Sequence, residues 1–407
     1  MRIPAPAREV MQVLHGAGYS AYLVGGAVRD LLLGRKPADL DVATSARPEQ
    51  VKSLFARTID TGIRHGTVSV QSAGVWLEVT TFRSEGPYGD GRRPDFVRFV
   101  DDVEADLARR DFTMNAMAID LEGRLVDPFD GRGDLLRGVL RAVGDPVARF
   151  REDGLRLVRA VRFAAQFHLT FDPATEAALV EAAGAIRPVA LERIGRELER
   201  LSQAPWHAHV DVLASTPLWR QKGEPLSWLE SGFAWLASQG HFALAPPPGF
   251  ASLALWFVGV DDGPLRARRF AEELAYGKDA ARYIERAVAL IQAWARGENA
   301  TSAESLYEAG RAPAEMAARM VSFLARGDLF EMARWKRAIR LQQVWDRSDL
   351  ALPAAELIAL GLQGKEIGQC QKSLVRRVLR GEIENQFEAL RREAAAWVKR
   401  GDNRGRG

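Results

Sequence analysis

The sequence has little cysteine, little histidine and few long apolar runs. Its 407 residues include one cysteine, Cys370, and six histidines. A single cysteine excludes an intrachain disulfide framework, which favours a reducing, cytoplasmic location. No early segment has the apolar length of a signal peptide or a membrane span, so no membrane partner is expected. His207 and His209 are typical of ordinary helix residues rather than of a metal site.

The charge balance is only mildly basic. Lysine and arginine total 56 against 53 acidic residues, and the sequence pI is near 9.1. This balance is compatible with a polyanionic partner such as nucleic acid. An arginine-rich genome composition would produce the same excess, so charge alone leaves the partner open.

Apolar spacing predicts an α+β fold. The first third alternates strands and helices, with SAYLVGG, DLDVAT and the hairpin GTVSVQ–SAG–VWLEVTTF as strands and AVRDLLLG as a helix. The segment RRDFTMNAMA is expected to begin a helix with Asp111 as its N-cap. From about residue 134, including LLRGVLRAV, nearly every segment has helical spacing. A small mixed-sheet region followed by a helical remainder is therefore predicted.

Two aspartates and a glutamate are candidates for a metal site. On a strand, Asp39 and Asp41 point to the same face and repel each other unless a cation lies between them. Carboxylates are ligands that Mg²⁺ prefers, and Mg²⁺ commonly keeps phosphates in its remaining positions. If VWLEVTTF lies beside DLDVAT, Glu78 becomes a third carboxylate. The alternatives are a solvated loop for the aspartates and the wet side of a sheet for Glu78.

A glycine pair precedes the aspartates. Gly25 and Gly26 lack a β-carbon, so a ligand can approach the backbone closely. They lead into a helix whose free N–H groups favour phosphate, and Arg29 in its first turn adds a charged donor. The alternative is a tight strand-to-helix turn without a ligand.

Charged residues recur every third position in EDGLRLVRAVRF. They are Asp153, Arg156, Arg159 and Arg162, and they form a stripe along one helix. Such a stripe is usually a solvated face. The alternative is a surface that recognises a ligand.

Five segments in a fixed order resemble signatures of the class II tRNA nucleotidyltransferases, in the polymerase-β-like superfamily. They are LVGGAVRDLLLGRKPADLDVAT (23–44), ARRDFTMNAMAID (108–120), DPFDGRGDLLRGVLRAVGDP (127–146), EDGLRLVRAVRFAAQF (152–167) and ERIGRELERL (192–201). ELIALGLQGKEIG (356–368) is a weaker match. The resemblance implies a polymerase-β-like nucleotidyltransferase head over 1–138, a helical neck over 139–205, a helical body over 206–330 and a tRNA-binding helical tail over 331–407, elongated in arrangement.

The resemblance also implies roles for individual residues. Asp39 and Asp41 would bind Mg²⁺, with Glu78 as a further catalytic carboxylate. The implied nucleotide-binding residues are Gly25, Gly26, Arg29, Arg110, Asp111, Asn115, Asp153, Arg156, Arg159 and Arg162. Asp153 and Arg156 would read the base edge: a carboxylate accepts from the amino group of cytosine or adenine, and a guanidinium donates to the adjacent ring nitrogen.

The implied reaction is template-independent addition of C, C and A from CTP and ATP to the 3′ end of tRNA, with release of pyrophosphate. Alternatives within the family are A-only addition, CC-only addition and poly(A) synthesis. A glycine-rich loop with Gly86, Gly89 and Gly91 favours full CCA addition over CC-only addition. An RNA-binding module without turnover is the alternative from another class. Oligomeric state stays open.

Overall fold

The computed structural model describes residues 1–63, 66–85, 97–240, 242 and 244–402. The chain divides into two compact units, Met1–Ser227 and Trp228–Gly407. The predicted loop glycines 86, 89 and 91 lie outside the described residues. Among the described residues, no helix combines the length and the apolar character needed to cross a lipid bilayer. The boundaries predicted after residues 138, 205 and 330 stay predictions.

A seven-stranded mixed sheet organises the first unit. The strands of this unit are β1 (Ala21–Val24), β2 (Asp41–Thr44), β3 (Thr58–Gly62), β4 (Thr67–Ser72), β5 (Val75–Thr81), β6 (Arg83–Glu85), β7 (Val97–Phe99), β8 (Ala118–Ile119), β9 (Leu125–Val126), β10 (Val139–Leu140) and β11 (Thr170–Phe171). The order in the large sheet is β3-β4-β5-β2-β1-β8-β9. β2 and β5 are parallel, and the other neighbouring pairs are antiparallel.

The predicted hairpin forms from β4 and β5. Ala73 and Gly74 connect the two strands, and both have a positive φ. A two-residue hairpin turn needs this backbone conformation to match the twist of the strands. Leu77 and Val79 are buried, whereas Glu78 on the opposite face is exposed. The alternation read from the sequence is therefore confirmed.

The strand predicted to contain both aspartates is shorter than expected. β2 begins at Asp41, which pairs with Val24 on one side and with Glu78 on the other. Gly25 has a φ of 67° and turns the chain out of β1, so no β1 residue remains to pair with Asp39. Asp39 therefore lies in a bend just before the strand, and its prediction as a strand residue was wrong.

Helices cover the sheet and continue beyond it. Those of the first unit are α1 (Ala5–Gly16), α2 (Gly26–Leu32), α3 (Pro48–Leu54), α4 (Val103–Ala108), α5 (Gly131–Arg137), α6 (Pro146–Glu152), α7 (Leu155–Phe167), α8 (Pro173–Glu181), α9 (Leu191–Ser202), α10 (Val210–Ser215) and α11 (Leu218–Lys222). Val10 and Leu14 of α1 pack into one core with Leu23 of β1 and Leu77 of β5. Burial of this apolar surface fixes the sheet against α1.

Two helix predictions in the first unit were wrong. RRDFTMNAMA forms a 3-10 turn over Thr113–Asn115 and then enters β8, because pairing with β1 competes with helix formation. LLRGVLRAV ends its helix at Arg137, where Gly138 adopts a left-handed conformation. The chain then forms β10, which pairs in parallel with β11.

The second unit is helical throughout its regular elements among the described residues. Its helices are α12 (Trp228–Ser238), α13 (Phe250–Leu255), α14 (Gly263–Glu273), α15 (Lys278–Ala295), α16 (Ala303–Ala309), α17 (Arg311–Leu324), α18 (Leu329–Leu341), α19 (Ala354–Ala359), α20 (Lys365–Leu379) and α21 (Phe387–Asp402). Cys370, Leu374 and Leu390 are buried in one of its cores. The predicted helical remainder is confirmed.

Candidate functional site

The predicted site residues converge on one cavity of the first unit, with a volume of about 780 Å³. All of them except Glu78 line it: Gly25, Gly26, Arg29, Asp39, Asp41, Arg110, Asp111, Asn115, Asp153, Arg156, Arg159 and Arg162. They come from α2, the bend before β2, the chain around the 3-10 turn, and α7 with the residues that precede it. Residues far apart in sequence thus share one concave surface.

The glycine pair forms a close contact between backbone and an arginine. A β-carbon on Gly25 would lie 2.6 Å from Nη1 of Arg110, so the guanidinium occupies the space that a side chain would need. Arg110 also donates from Nη2 to Asp106 at 3.3 Å. Burial alone raises the pKa of Asp106, but the charges of Arg109 and Arg110 bring it below its ordinary value. Arg110 is therefore held against the glycine turn by a buried, ionised carboxylate.

Asp39 and Asp41, the acidic pair, have no such partner. Within the described ranges, no basic side chain forms an ion pair with Asp39, Asp41 or Glu78. Burial and the charge of Glu78, opposed by Arg110 and supported by Asp39, raise the pKa of Asp41 to about 6. Glu78 does not line the cavity and acts on Asp41 from the neighbouring strand.

The acidic pair fits a divalent cation. A cation beside it would reverse the repulsion that raises the pKa of Asp41, and carboxylate oxygens suit Mg²⁺. The described residues contain no group of three or more histidine, cysteine, aspartate and glutamate side chains spaced to hold a metal. The three-carboxylate cluster expected with Glu78 is therefore not formed: Glu78 pairs in register with Asp41 and lies on the same face of the sheet, but it does not line the cavity. The chain supplies two carboxylates, and a phosphate or water must supply the remaining ligands.

Arg29 is bound by neighbours from three directions. Its Nη1 donates to Oδ1 of Asn115 at 2.7 Å, and its Nε and Nη2 donate to Oδ1 of Asp30 at 3.0 and 2.8 Å. The guanidinium carbon lies 4.3 Å from the ring centre of Phe167, a cation–π contact. Only 8% of Arg29 is exposed, so α2 and α7 are joined through this side chain.

Asp111 continues this network. Its Oδ1 accepts from Nδ2 of Asn115 at 3.1 Å, and its Oδ2 accepts from Nε and Nη2 of Arg159 at 2.8 and 2.5 Å. Burial raises the pKa of Asp111, but the charge of Arg159 and these hydrogen bonds lower it to about 2. The carboxylate is therefore ionised at any pH near neutrality.

Arg162 forms a buried ion pair with α9. Its Nε donates to Oε2 of Glu197 at 2.5 Å, and Nη1 donates to Gln166 at 2.5 Å. Burial lowers the pKa of Arg162 to about 10 even though Glu197 opposes this shift. Arg162 is 5% exposed and Arg156 is 8% exposed, so the solvated-face interpretation of this stripe was wrong. The arginines of the stripe face other helices and the cavity, where carboxylates such as Asp111 and Glu197 accept their hydrogen bonds.

Asp153 and Arg156 are both engaged within the protein. Oδ1 of Asp153 accepts from the Leu155 backbone N–H at 3.0 Å, and Arg193 donates to both carboxylate oxygens, at 2.7 Å to Oδ2 and 3.3 Å to Oδ1. Nη1 of Arg156 donates to Oε2 of Glu152 at 2.5 Å. A β-carbon on Gly154 would lie 2.0 Å from the carbonyl oxygen of Ala185, so only glycine allows this close packing.

Sequence reasoning missed the acidic and basic partners of the stripe. Glu197 is buried on the face of α9 that also buries Ile194, Leu198 and Leu201. A charge on an otherwise apolar helix face was the available signal, because such a charge needs a buried partner. Arg193 lines the cavity and lies one turn before Glu197 on the same helix.

Comparisons with known proteins identify the family. A model of the poly(A) polymerase head domain matches residues 21–141, and a model of a putative tRNA nucleotidyltransferase domain 2 matches residues 252–394. A CCA-adding enzyme from Limosilactobacillus fermentum is 36% identical over 402 residues, which cover 97% of each chain. The chain belongs to the family of CCA-adding enzymes.

Solved structures of CCA-adding enzymes have the same fold. The Bacillus stearothermophilus CCA-adding enzyme in complex with CTP matches with a TM-score of 0.74 and 30% identity, covering 99% of each chain. The Thermotoga maritima CCA-adding enzyme complexed with tRNA matches with a TM-score of 0.65 at 21% identity, which supports the fold alone. CCA-adding enzymes are nucleotidyltransferases that use a divalent metal ion. The predicted family and enzyme class are confirmed.

Proposed function

We propose that this chain adds C, C and A to the 3′ end of tRNA without a nucleic-acid template, using CTP and ATP and releasing pyrophosphate. The observation that carries the proposal is the shared cavity of two groups: the acidic pair, and the acceptor–donor pair Asp153 and Arg156. One group suits a metal-bound triphosphate and the other suits a base edge. The relative from L. fermentum, which is named a CCA-adding enzyme and matches along 97% of this chain, supports the same activity.

We propose Mg²⁺ as the divalent ion, held by Asp39 and Asp41. When bound, Mg²⁺ neutralises triphosphate charge and favours ionisation of the attacking 3′-hydroxyl. Arg110 faces the same cavity, and among the described residues its buried Nε has no hydrogen-bond partner. We therefore assign Arg110 to the triphosphate, beside the backbone of Gly25 and Gly26, which lines the same cavity. Glu78 acts through its charge on Asp41 rather than by touching the nucleotide.

Base selection follows from hydrogen-bond chemistry. Asp153 offers an acceptor to the amino group of cytosine or adenine, and Arg156 offers a donor to the adjacent ring nitrogen. Uracil places a carbonyl oxygen against the carboxylate, and guanine is mismatched at both positions. Each mispaired buried polar group costs about 1–3 kcal/mol, so the wrong bases are rejected.

The remaining predicted nucleotide-binding residues are assigned to positioning. Asp111, Asn115, Arg159 and Arg162 have hydrogen bonds to one another or to α9, and Arg29 bonds Asn115. We propose that they hold α7 and the cavity wall in place so that Asp153 and Arg156 present a fixed edge. We also propose that the enzyme works in the cytoplasm, where tRNA, CTP and ATP occur together.

The test is incorporation into a tRNA transcript that lacks its CCA end. The protein is incubated with Mg²⁺ and with CTP, ATP or both, and the products are sized. Complete CCA supports the proposal. A single A, CC alone, a long tail, or binding without any product would instead identify an A-adding enzyme, a CC-adding enzyme, a poly(A) polymerase or an inactive RNA-binding module.

A matched pair of variants tests the site. Asp39→Ala is expected to abolish incorporation while tRNA binding, measured by filter retention, stays unchanged. Asp101→Ala removes an exposed aspartate outside the cavity and is expected to keep full activity. Retained activity in Asp39→Ala would contradict the metal assignment.

A further inference from the structure

We propose that Arg193 is a positioning residue for base selection, because it leaves Asp153 a single open acceptor site, on Oδ2. This inference rests on the proposed function, in which Asp153 reads the base. Arg193 lies on α9, 40 residues away from Asp153 in sequence, and both side chains line the cavity. Arg193 belongs to the signature ERIGRELERL (192–201), but nothing in its spacing gives this arginine a role.

The hydrogen bonds of Asp153 carry the argument. A carboxylate has about four lone-pair sites, two on each oxygen. Oδ1 accepts from the Leu155 backbone N–H and from Nη1 of Arg193, at 3.0 and 3.3 Å. Oδ2 accepts from Nη2 of Arg193 at 2.7 Å. Within the part of the chain that the structure describes, both sites of Oδ1 are therefore used and one site of Oδ2 remains.

Two contacts fix the plane of this carboxylate. The fork of Arg193 holds both oxygens, and the Leu155 backbone N–H holds Oδ1 from the start of α7. Gly154 keeps that backbone packed against the carbonyl of Ala185. The side chains of Asp153 and Arg193 are only 15% and 24% exposed, so solvent competes weakly for these bonds. The open site of Oδ2 thus has a defined direction before a nucleotide arrives.

The consequence is selective. An amino group of cytosine or adenine can donate one N–H to the open site without displacing Arg193. Without Arg193 the carboxylate is free to rotate, and the amino group must order it during binding. A base that has no amino group at this position gains nothing from the ordered carboxylate. Loss of Arg193 should therefore penalise amino-bearing bases alone.

The experiment compares ATP with purine riboside triphosphate, which is ATP without its 6-amino group, on a tRNA ending in CC. In the wild-type enzyme kcat/KM is expected to favour ATP by about tenfold or more, the value of one charge-assisted hydrogen bond. In Arg193→Met the ratio should fall to within about twofold, because ATP loses its advantage and the analogue does not. Arg193→Lys should give an intermediate ratio, since an ammonium cannot hold both oxygens as a fork does.

Arg196→Met is the matched control, because Arg196 is exposed on the same helix and pairs only with Glu192 among the described residues. It should leave the ratio unchanged. If Arg193→Met lowers both nucleotides equally, Arg193 has a structural role only and the proposal is overturned. An equal use of ATP and the analogue by the wild-type enzyme overturns it without any variant. A wild-type enzyme that adds no nucleotide at all contradicts the proposed function instead.

Discussion

The acidic pair and the arginine stripe line the same cavity but are balanced in opposite ways. Asp39 and Asp41 have no ion-pair partner among the described residues, and the pKa of Asp41 is raised to about 6. The charges of the stripe are paired within the protein: Arg159 binds Asp111, and Arg162 binds Glu197, both at 2.5 Å. The first region has unpaired charge, whereas the charges of the second are paired before any ligand binds.

This contrast separates two tasks. In the proposed site Mg²⁺ brings positive charge, so the acidic pair gains from having no cationic partner in the free protein. A base edge brings only hydrogen bonds, so the part that reads it must be ordered beforehand. The partners of the stripe supply that order at the cost of burying several charges. Four substitutions test the contrast.

The largest effect is expected from Asp41→Asn, which removes the unbalanced charge. Incorporation should fall by about a thousandfold or more if Asp41 is a metal ligand as proposed. The folded pKa of Asp41 lies above its ordinary value, so the ionised side chain destabilises the fold above pH 6 and this penalty disappears as pH falls below 4. Thermal unfolding in EDTA should therefore show a variant roughly 2 kcal/mol more stable at pH 8, with a smaller gain at pH 5. A less stable variant at pH 8 would contradict the burial argument.

A large loss of stability is expected from Glu197→Ala. Arg162 would keep a buried charge without its partner, which typically costs about 3–5 kcal/mol in unfolding free energy. Urea unfolding measures this loss. Glu199→Ala, an exposed glutamate on the same helix, should change stability by less than about 0.5 kcal/mol. If the two variants behave alike, the pairing of Arg162 with Glu197 does not stabilise the fold as described above.

A smaller loss is expected from Gly154→Ala. The added methyl group would meet the Ala185 carbonyl at 2.0 Å, so the start of α7 must shift. We expect a destabilisation of about 1–3 kcal/mol and a reduced preference for CTP over UTP, measured as a ratio of kcat/KM values. Gly184→Ala is the control, because no atom lies within 4 Å of its added β-carbon. An unchanged CTP preference in Gly154→Ala would separate α7 packing from base selection.

The smallest effect is expected from Glu78→Gln. The charge of Glu78 is the second cause, after burial, of the raised pKa of Asp41. Its removal should lower that pKa, so Asp41 stays ionised to lower pH. At limiting Mg²⁺ the acid limb of the kcat/KM profile should move to lower pH by less than about one unit. A shift to higher pH would reverse the assigned sign, and Asp60→Asn, an exposed aspartate of β3, should cause no shift.

The sequence was sufficient where local pattern decides structure. Alternating apolar and polar residues predicted β5 and the face of Glu78, and the glycine pair predicted the turn between β1 and α2. That β5 lies beside β2 was a hypothesis, which the pairing of Asp41 with Glu78 confirms. The parallel orientation of the two strands was not predicted. Ordered motifs gave the family because they depend on residue identity rather than on tertiary contacts.

The sequence was insufficient where distant segments decide structure. An arginine stripe looks the same whether it faces water or a buried glutamate, and Glu197 lies 35 residues beyond Arg162. Val139–Leu140 has the spacing of a helix but pairs with a strand about 30 residues later. Asp39 lies outside β2 because β1 ends before Gly25 and has no residue left to pair with it. In each case a contact that no local window contains overrode local preference.

The contact between Arg29 and Phe167 limits how this enzyme can be recombined with its relatives. Arg29 belongs to the predicted head and Phe167 to the predicted neck, yet the guanidinium rests on the ring. In a chimera joined at residue 138, Arg29 would come from one parent and Phe167 from the other. Exchangeable blocks should therefore end after α9 rather than after the sheet, so that both halves of this contact come from the same parent.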